Sequence, residues 1–441
     1  MILENVTIIN EGERFQASVL IEDGRIKSLT PSASKGEGEL VLLPGVIDGH
    51  VHMREPGLTH KATMESETRA AAKGGVTTVL DMPNVIPQTT TLQLLKERYA
   101  LAEGRCHVNY GFYLGATNDN IEEIKHLDTT ICPGVKLFMG SSTGGMLVDK
   151  EEQLRQIFRY SPSLIMAHCE DMARINSLTL SLSKGEGIFS ALPFPPPLEG
   201  LGVAFHPIIR DHEACYRSTE LAVRLAKEES ARLHVAHITT ARELELFEPN
   251  DERITAEACV PHLLFTDEDY ETLGSRIKCN PAIKTKADRD ALRKALTDGR
   301  IRTIATDHAP HLLSEKEGGC LKAMSGMPMV QFSLPAMLSL VDEGVLSIER
   351  LVELMCHNPA RLYNIKERGF IREGYWADLV LVRKKPWKVT KDCIESLCGW
   401  SPLEGRTLGW QVEKTWVNGN LIWDGATFPL APTGRRVHFD A

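Results

Sequence analysis

Five short apolar runs in this chain each end on side chains able to bind a metal ion or move a proton, and the runs are spread over most of its length. They carry His50 and His52 (GVIDGHVH), Lys136 (GVKLF), His168 (LIMAHCE), His237 (LHVAHI) and Asp307 (RTIATDH). Short apolar runs separated by helical patterns read as strands buried on both faces, the strand type of a parallel sheet. In a (β/α)8 barrel, polar groups at the C-terminal tips of such strands converge on one mouth, where the chemistry is done. One histidine at such a tip would mean little. Six groups on five strands imply a hydrolytic metal centre.

The rest of the middle of the chain supports that layout. Eight strand candidates follow one another: VIDGHVH, VTTVLDM, VNYGFYL, GVKLFM, LIMAH, LHVAH, ITAEACV and RTIAT. Helical patterns lie between them, among them MESETRAAAKGG with Gly74 as its C-cap, RSTELAVRLAKEE and KADRDALRKALTDG. A doubly wound open sheet would gather its ligands at one switch point. These fall on the first, fourth, fifth, sixth and eighth strands, so the barrel is the expectation. The two ends have a different texture. Residues 1–48 alternate like a β-meander with turn signals at Glu11-Gly12 and Asp23-Gly24, and ADLVLVRK and GWQVEKTWVNGNLIW near the C-terminus do the same with a turn at Asn418-Gly419. The expected architecture is therefore α/β: a (β/α)8 TIM barrel over 49–365 and a small β-sandwich domain formed by both termini, from 1–48 and 366–441. At 441 residues the chain has room for a barrel of about 250 residues plus such a unit. Two stretches read as loops: Pro-rich ALPFPPPLEG (191–200), and HLLSEKEGGCLKAMSG (311–326), which follows the last barrel strand and is expected to act as a lid, mobile without ligand and ordered with it.

Composition narrows the function. A net charge of −9 and a pI near 6.0 argue against a nucleic-acid partner. No apolar run is long enough to span a bilayer, and MILENVTIINEGERF lacks the layout of a signal peptide. The ten cysteines are scattered with no C-x-x-C pair, which suits reduced thiols in a cytoplasmic protein. Cys169 adjoins a candidate ligand but reads as a buried apolar thiol.

The candidate groups differ in what their spacing implies. His50 and His52, two apart on a strand, face the same way and can share one divalent ion; Val46, Ile47 and Val51 argue against a solvent-exposed strand. His168 and His237 supply nitrogens for a second ion, although each alone is more often a core histidine. Asp307 can ligate metal and act as general acid and base, with a helix N-cap as its bland alternative. A lysine beside cations is repelled, so Lys136 is either a substrate-binding cation or a chemically altered amine. Arg54, Asn84 and His311 suit a substrate carboxylate, with structural salt bridging an equal alternative for Arg54. GSSTGG (140–145) lacks the Gly-Lys-Ser/Thr ending of a phosphate loop and reads as a turn.

Together PGVIDGHVHMREPG, VTTVLDMPNVIPQT, GVKLFMG, HCED, HVAHITT and ATDHAPH resemble dihydroorotase, of the amidohydrolase superfamily. The likeness extends over essentially the whole chain, including GxxxxGxxADLVL (Gly369 to Leu381) and SPLEGRTLGWQV. It implies that His50, His52 and Asp307 hold one zinc and His168 and His237 another, the two bridged by carbamylated Lys136 and a hydroxide. It also implies substrate contacts from His52, Arg54, Asn84 and His311. Asn280 in KCNPAIK and the backbone near Ser325-Gly326 would touch the ring, although the family's usual Asn-Pro-Pro-Leu-Arg is Asn280-Pro281-Ala282-Ile283-Lys284 in this chain.

The resemblance implies reversible hydrolysis of dihydroorotate to N-carbamoyl-aspartate, the third step of pyrimidine synthesis. The alternatives are a hydantoinase- or allantoinase-like cyclic amidase, and an inactive scaffold for aspartate transcarbamoylase, which would have lost metal ligands that this chain retains. A homo-oligomer such as a dimer, association with aspartate transcarbamoylase and a cytoplasmic location complete the expectation.

Overall fold

The structure, a computed structural model, describes residues 1–32, 40–140, 145–184 and 202–440. The Pro-rich stretch 191–200 and most of the GSSTGG turn (141–144) lie outside the described residues. Four strands open the chain: β1 (Ile2–Asn10), β2 (Glu13–Glu22), β3 (Arg25–Pro31) and β4 (Leu40–Pro44). The middle contains β5 (Val46–Val51), β6 (Val76–Asp81), β7 (Asn109–Phe112), β8 (Leu114–Gly115), β9 (Val135–Phe138), β10 (Ile165–His168), β11 (Leu233–Val235), β12 (Ile254–Cys259) and β13 (Ile301–Ala305). Then β14 (Leu379–Lys388), β15 (Thr407–Val417) and β16 (Asn420–Trp423) follow.

The middle strands pair in parallel in two arcs, β5-β6-β7 and β8-β9-β10-β11-β12-β13. β7 and β8 are two halves of one strand interrupted at Tyr113, whose hydroxyl donates across the interior to the Gly49 carbonyl (3.0 Å). At the other seam, Val51 bridges His308, and His52 N–H donates to the His308 carbonyl at 2.7 Å. Eight strand positions thus form the ring of a (β/α)8 barrel. Every residue from β5 through β12 is buried within its strand, which is why these segments read as apolar runs rather than alternating ones. The intervening helices carry the expected end signals. Thr63 caps Met64–Lys73, Asp211 caps His212–Glu228, and Thr285 caps Lys286–Asp298, which ends on left-handed Gly299. Gly74 is the C-cap of the first of these, but it is right-handed; the positive φ (83°) falls on Gly75.

Both ends of the chain build one seven-stranded sheet in the order β16-β15-β14-β4-β1-β2-β3. β4 joins its halves, parallel to β1 and antiparallel to β14, and leads through Gly45 directly into β5. The three turn signals form tight turns with positive φ at both central residues: Glu11-Gly12, Asp23-Gly24 and Asn418-Gly419. Alternation divides the two faces of this sheet. Ile9, Val41, Leu43, Val380 and Val382 join the barrel's own apolar cluster, while Ile8, Leu42, Leu379 and Leu381 pack with Val19, Ile26 and Trp416 in a separate one. The ten cysteines are free thiols, and no helix among the described residues is long and apolar enough to cross a membrane.

Candidate active site

The strand tips bring the six expected groups to one cavity. His50 lies in β5 and His52 one residue past it; Lys136 is in β9; His168 ends β10; His237 and Asp307 lie two residues beyond β11 and β13. All six line the same cavity. Asp307 Oδ1 sits 3.3 Å from His50 Nε2 and 3.0 Å from His52 Nε2, and His168 Nδ1 is 3.0 Å from His237 Nε2. The rings of His50 and His237 are 5.3 Å apart between centroids, so the two groups adjoin. His237 (φ 39°), Asp307 (φ 47°) and Arg54 (φ 64°) adopt left-handed backbone, a conformation that costs non-glycine residues energy and collects at functional sites. Gly140, just after β9, is required for close approach: a Cβ there would stand 2.9 Å from the His168 ring.

The outward-facing nitrogens determine what the inward ones can do. His50 Nδ1 is 2.8 Å from Glu257 Oε1, His52 Nδ1 is 2.8 Å from Asn84 Oδ1, and His168 Nε2 is 2.9 Å from Glu170 Oε2. Each of those oxygens is an acceptor, so the ring hydrogen goes to it and the opposite nitrogen presents a lone pair inward. Burial lowers His52 to about 4 and also lowers His168 and His237, so these three rings are neutral. Burial pushes Asp307 up, but the neighbouring imidazoles and the His52 hydrogen bond outweigh it and hold the carboxyl far below the usual carboxylate range. The inward nitrogens of His50 and His52 and a carboxylate oxygen of Asp307 thus converge within 4.8 Å of one another. A divalent cation is the complement to that set. The oxygen partners behind the histidines are of the kind that orient metal ligands.

Lys136 fits the same conclusion. Its Nζ is buried and has no hydrogen-bond partner, and burial depresses the amine to about 8 against the pull of Glu257 and Asp307. An orphaned, partly neutral amine lining the same cavity as these groups is suited to becoming an anionic ligand by reaction with CO2.

Sequence reasoning missed the outer groups. Glu257, fully buried in β12, accepts from His50, from the His237 backbone N–H (3.1 Å) and from the Cys259 thiol. A lone carboxylate within the apolar run ITAEAC was the available signal. Glu170, held by Arg210, was legible only as the residue two past a candidate ligand. Asp48 ties β5 to the end of β13 through Thr306 (2.6 Å), and burial raises its carboxyl to about 6.

The substrate candidates gather beside the candidate metal ligands. Arg54, Asn84, Asn280, Ser325 and Gly326 line the cavity; His311 does not, but stands behind Arg54. Arg54 Nε donates to the Pro310 carbonyl (3.1 Å), and its Nη2 lies 3.0 Å from His311 Nε2. Lys61 Nζ lies 3.1 Å from His311 Nδ1, a contact the sequence did not suggest. Lys61 also pairs with Glu315 (2.8 Å), and burial beside these cations holds the His311 imidazole far below its usual range, so Arg54 is the cation this corner presents to the cavity. His206 Nε2 holds Asn280 Oδ1 at 3.1 Å, which turns the amide nitrogen of Asn280 away from that contact. The 311–326 loop is folded, with helical turns at Leu313–Lys316 and Gly319–Lys322. Buried Lys316 donates to the carbonyls of Lys278 (3.1 Å), Met324 (2.6 Å) and Gly326 (2.6 Å), pinning the loop's end against the cavity. Gly326 (φ 132°) has no room for a side chain, since a Cβ would lie 2.6 Å from the Ala309 carbonyl oxygen.

A (β/α)8 barrel whose strand tips converge on histidines, a lysine and an aspartate has the architecture of a metal-dependent hydrolase. The Amidohydrolase family model matches residues 207–422, and the Dihydro-orotase-like model matches residues 39–173. The dihydroorotase of Halobacterium salinarum is 33% identical over 421 residues, covering 95% of this chain and 93% of that protein. An allantoinase of Escherichia coli is 29% identical over 460 residues, covering 99% of this chain and 98% of that protein. Among solved structures, the L-hydantoinase (dihydropyrimidinase) from Arthrobacter aurescens superposes with a TM-score of 0.90 at 27% identity, over 99% of each chain. The chain belongs to the amidohydrolase family, in its dihydroorotase-like group of cyclic-amide hydrolases.

Proposed function

We propose that this protein is a dihydroorotase, which reversibly hydrolyses (S)-dihydroorotate to N-carbamoyl-L-aspartate, the third step of pyrimidine synthesis. The observation that carries the reading is the buried Arg54 guanidinium, backed by His311 and lining the cavity beside Asn84. It is built for a substrate carboxylate, and dihydroorotate carries one on its ring. His50, His52 and Asp307 would hold one zinc and His168 and His237 a second, with carbamylated Lys136 between them. When bound, the ions supply a water acidified toward neutrality and polarise the ring carbonyl.

The chain's own groups do the rest. Arg54 and Asn84 hold the substrate carboxylate and so orient the ring amide toward Asp307. Asp307, ionised by its surroundings, takes the proton of the attacking water as the new C–O bond forms. It delivers that proton to the ring nitrogen as the C–N bond breaks. In the synthetic direction it takes a proton from the carbamoyl nitrogen and returns it to the departing water. Asn280 and the Ser325-Gly326 backbone are the proposed ring contacts, kept in position by His206 and Lys316.

The allantoinase and hydantoinase relatives support a second reading, a cyclic amidase for rings without a carboxylate. Steady-state assays of the metal-loaded protein on dihydroorotate, allantoin and hydantoin separate the two. For a dihydroorotase, Arg54→Met lowers kcat/KM for dihydroorotate by about 10²-fold, the loss of a charge-assisted pair of about 3 kcal/mol. Turnover of allantoin or hydantoin above that of dihydroorotate, unaltered by Arg54→Met, would establish the alternative.

A further inference from the structure

A cavity of about 1060 Å³ lies apart from the candidate metal site. It opens at the opposite end of the barrel, where β7 begins, and the terminal sheet forms its other wall. Its lining includes Arg25, Lys96, Lys366, Arg368, Arg435 and Arg436, in a chain whose net charge is −9. That local reversal of sign is the first indication of a ligand.

The second is how the arginines are held. The segment around Arg435 runs beside the start of β7. Tyr110 N–H donates to the Arg435 carbonyl (3.0 Å), Val437 N–H to the Tyr110 carbonyl (2.9 Å), and Arg435 N–H to Asn109 Oδ1 (3.1 Å). The backbone of the pair is thereby fixed, and neighbouring residues of an extended segment point opposite ways. Arg435 lies over Trp376, 4.8 Å from the ring centroid, and Arg436 over Tyr99 at 3.9 Å. Stacking orders each guanidinium and shields one face, leaving donor edges for an oxyanion.

The third is the missing counter-charge. Arg25 pairs with Glu367 and Arg368 with Asp378, so these two are neutralised. Among the described residues, Arg435, Arg436, Lys96 and Lys366 have no carboxylate within ion-pairing distance, and Glu103, which also lines the cavity, pairs with none of them. Arg436 Nε and Nη2 are buried without any acceptor. A buried guanidinium nitrogen with no partner costs free energy that an incoming oxyanion would recover.

We propose that this cleft is a binding site for a small polyphosphate, an anion with two or more linked phosphate groups. One phosphate would leave most of a cavity of this volume empty, whereas a chain of them can reach Arg435, Arg436 and the two rim lysines together. Trp376 is already covered by Arg25 and Arg435, and Tyr99 by Arg436, so neither ring is offered to a base. Inorganic tripolyphosphate and ATP therefore bind alike.

Isothermal titration of the metal-loaded full chain with tripolyphosphate and with ATP tests this, at about 150 mM salt. Saturable binding to the parent is expected, weakened at least tenfold in Arg435→Gln/Arg436→Gln while cyclic-amide hydrolysis without ligand is unchanged. Lys96→Gln/Lys366→Gln, at exposed positions that carry no packing, is expected to weaken it several-fold and serves if the arginine pair is needed for folding. Heat from phosphate chelating the metal centre would persist in all variants and is thereby told apart. Absence of binding at millimolar tripolyphosphate, or equal affinity in the parent and both variants, overturns the proposal. Binding of ATP but not tripolyphosphate overturns the stated ligand class.

Discussion

Replacing Lys136 by methionine should stabilise the metal-free protein while destroying its activity. The amine is buried, has no hydrogen-bond partner, and stands at about 8 against 10.5 for an ordinary lysine. Holding that proton in the folded state costs about 3 kcal/mol at pH 7, since each unit is worth about 1.4 kcal/mol. The sign follows from proton counts. Between pH 8 and 10.5 the unfolded chain binds more protons than the folded one, so folding becomes more favourable as pH rises. The penalty is fully present below pH 8 and fades toward 10.5. Methionine has nearly the same length and shape and carries no charge, so Lys136→Met should gain about 3 kcal/mol at pH 7 and about 1.5 kcal/mol at pH 9.5. Urea titrations of chelated protein in CO2-free buffer, at both pH values, measure this. Adding zinc and bicarbonate should reverse the ranking, because only the parent can form the carbamate. A variant no more stable than the parent at pH 7, or a gain that does not shrink with pH, would refute the reasoning.

Two further substitutions probe separate layers of the site. Asp307→Asn keeps an oxygen donor for metal but cannot accept the water's proton; turnover should fall about 10³-fold with metal content largely retained, checked by steady-state kinetics and elemental analysis. Glu257→Gln replaces an anion behind His50 by an amide that still accepts a hydrogen bond. It should weaken metal binding by about 10–100-fold in competition with a chelator, while KM measured at saturating metal stays near the parent's.

The barrel and the polar groups at its strand tips were legible in the sequence because both are local properties. A strand buried on both faces must be apolar along its length, so a polar residue at its tip stands out, as His168 does after LIMA and Asp307 after RTIAT. The hairpin turns were legible for the same reason: Asp23-Gly24 and Asn418-Gly419 carry residues that tolerate positive φ. The joining of β4 to β14 followed only from the shared texture of the two ends, since nothing in either segment specifies the register Leu42 opposite Leu381. What escaped is non-local. Glu257 meets His50 across 207 positions of sequence, and Lys61 meets His311 across 250. Each reads alone as an ordinary charged residue.

This division bears on how far the site's specificity can be read. Metal ligands need only the right atom at a strand tip, and the barrel brings the tips together whatever the loops do. The proposed carboxylate corner is different. Arg54 reaches it through a left-handed backbone, His311 is placed by a loop whose carbonyl also accepts from the Trp400 indole N–H (2.7 Å), and Gly326 is held by the three-carbonyl grip of Lys316. Cyclic amidases that share the barrel can therefore keep the same ligands and differ in substrate through these loop contacts alone. On that argument, exchanging Arg54 and its loop partners should alter which ring is opened before it alters whether metal binds.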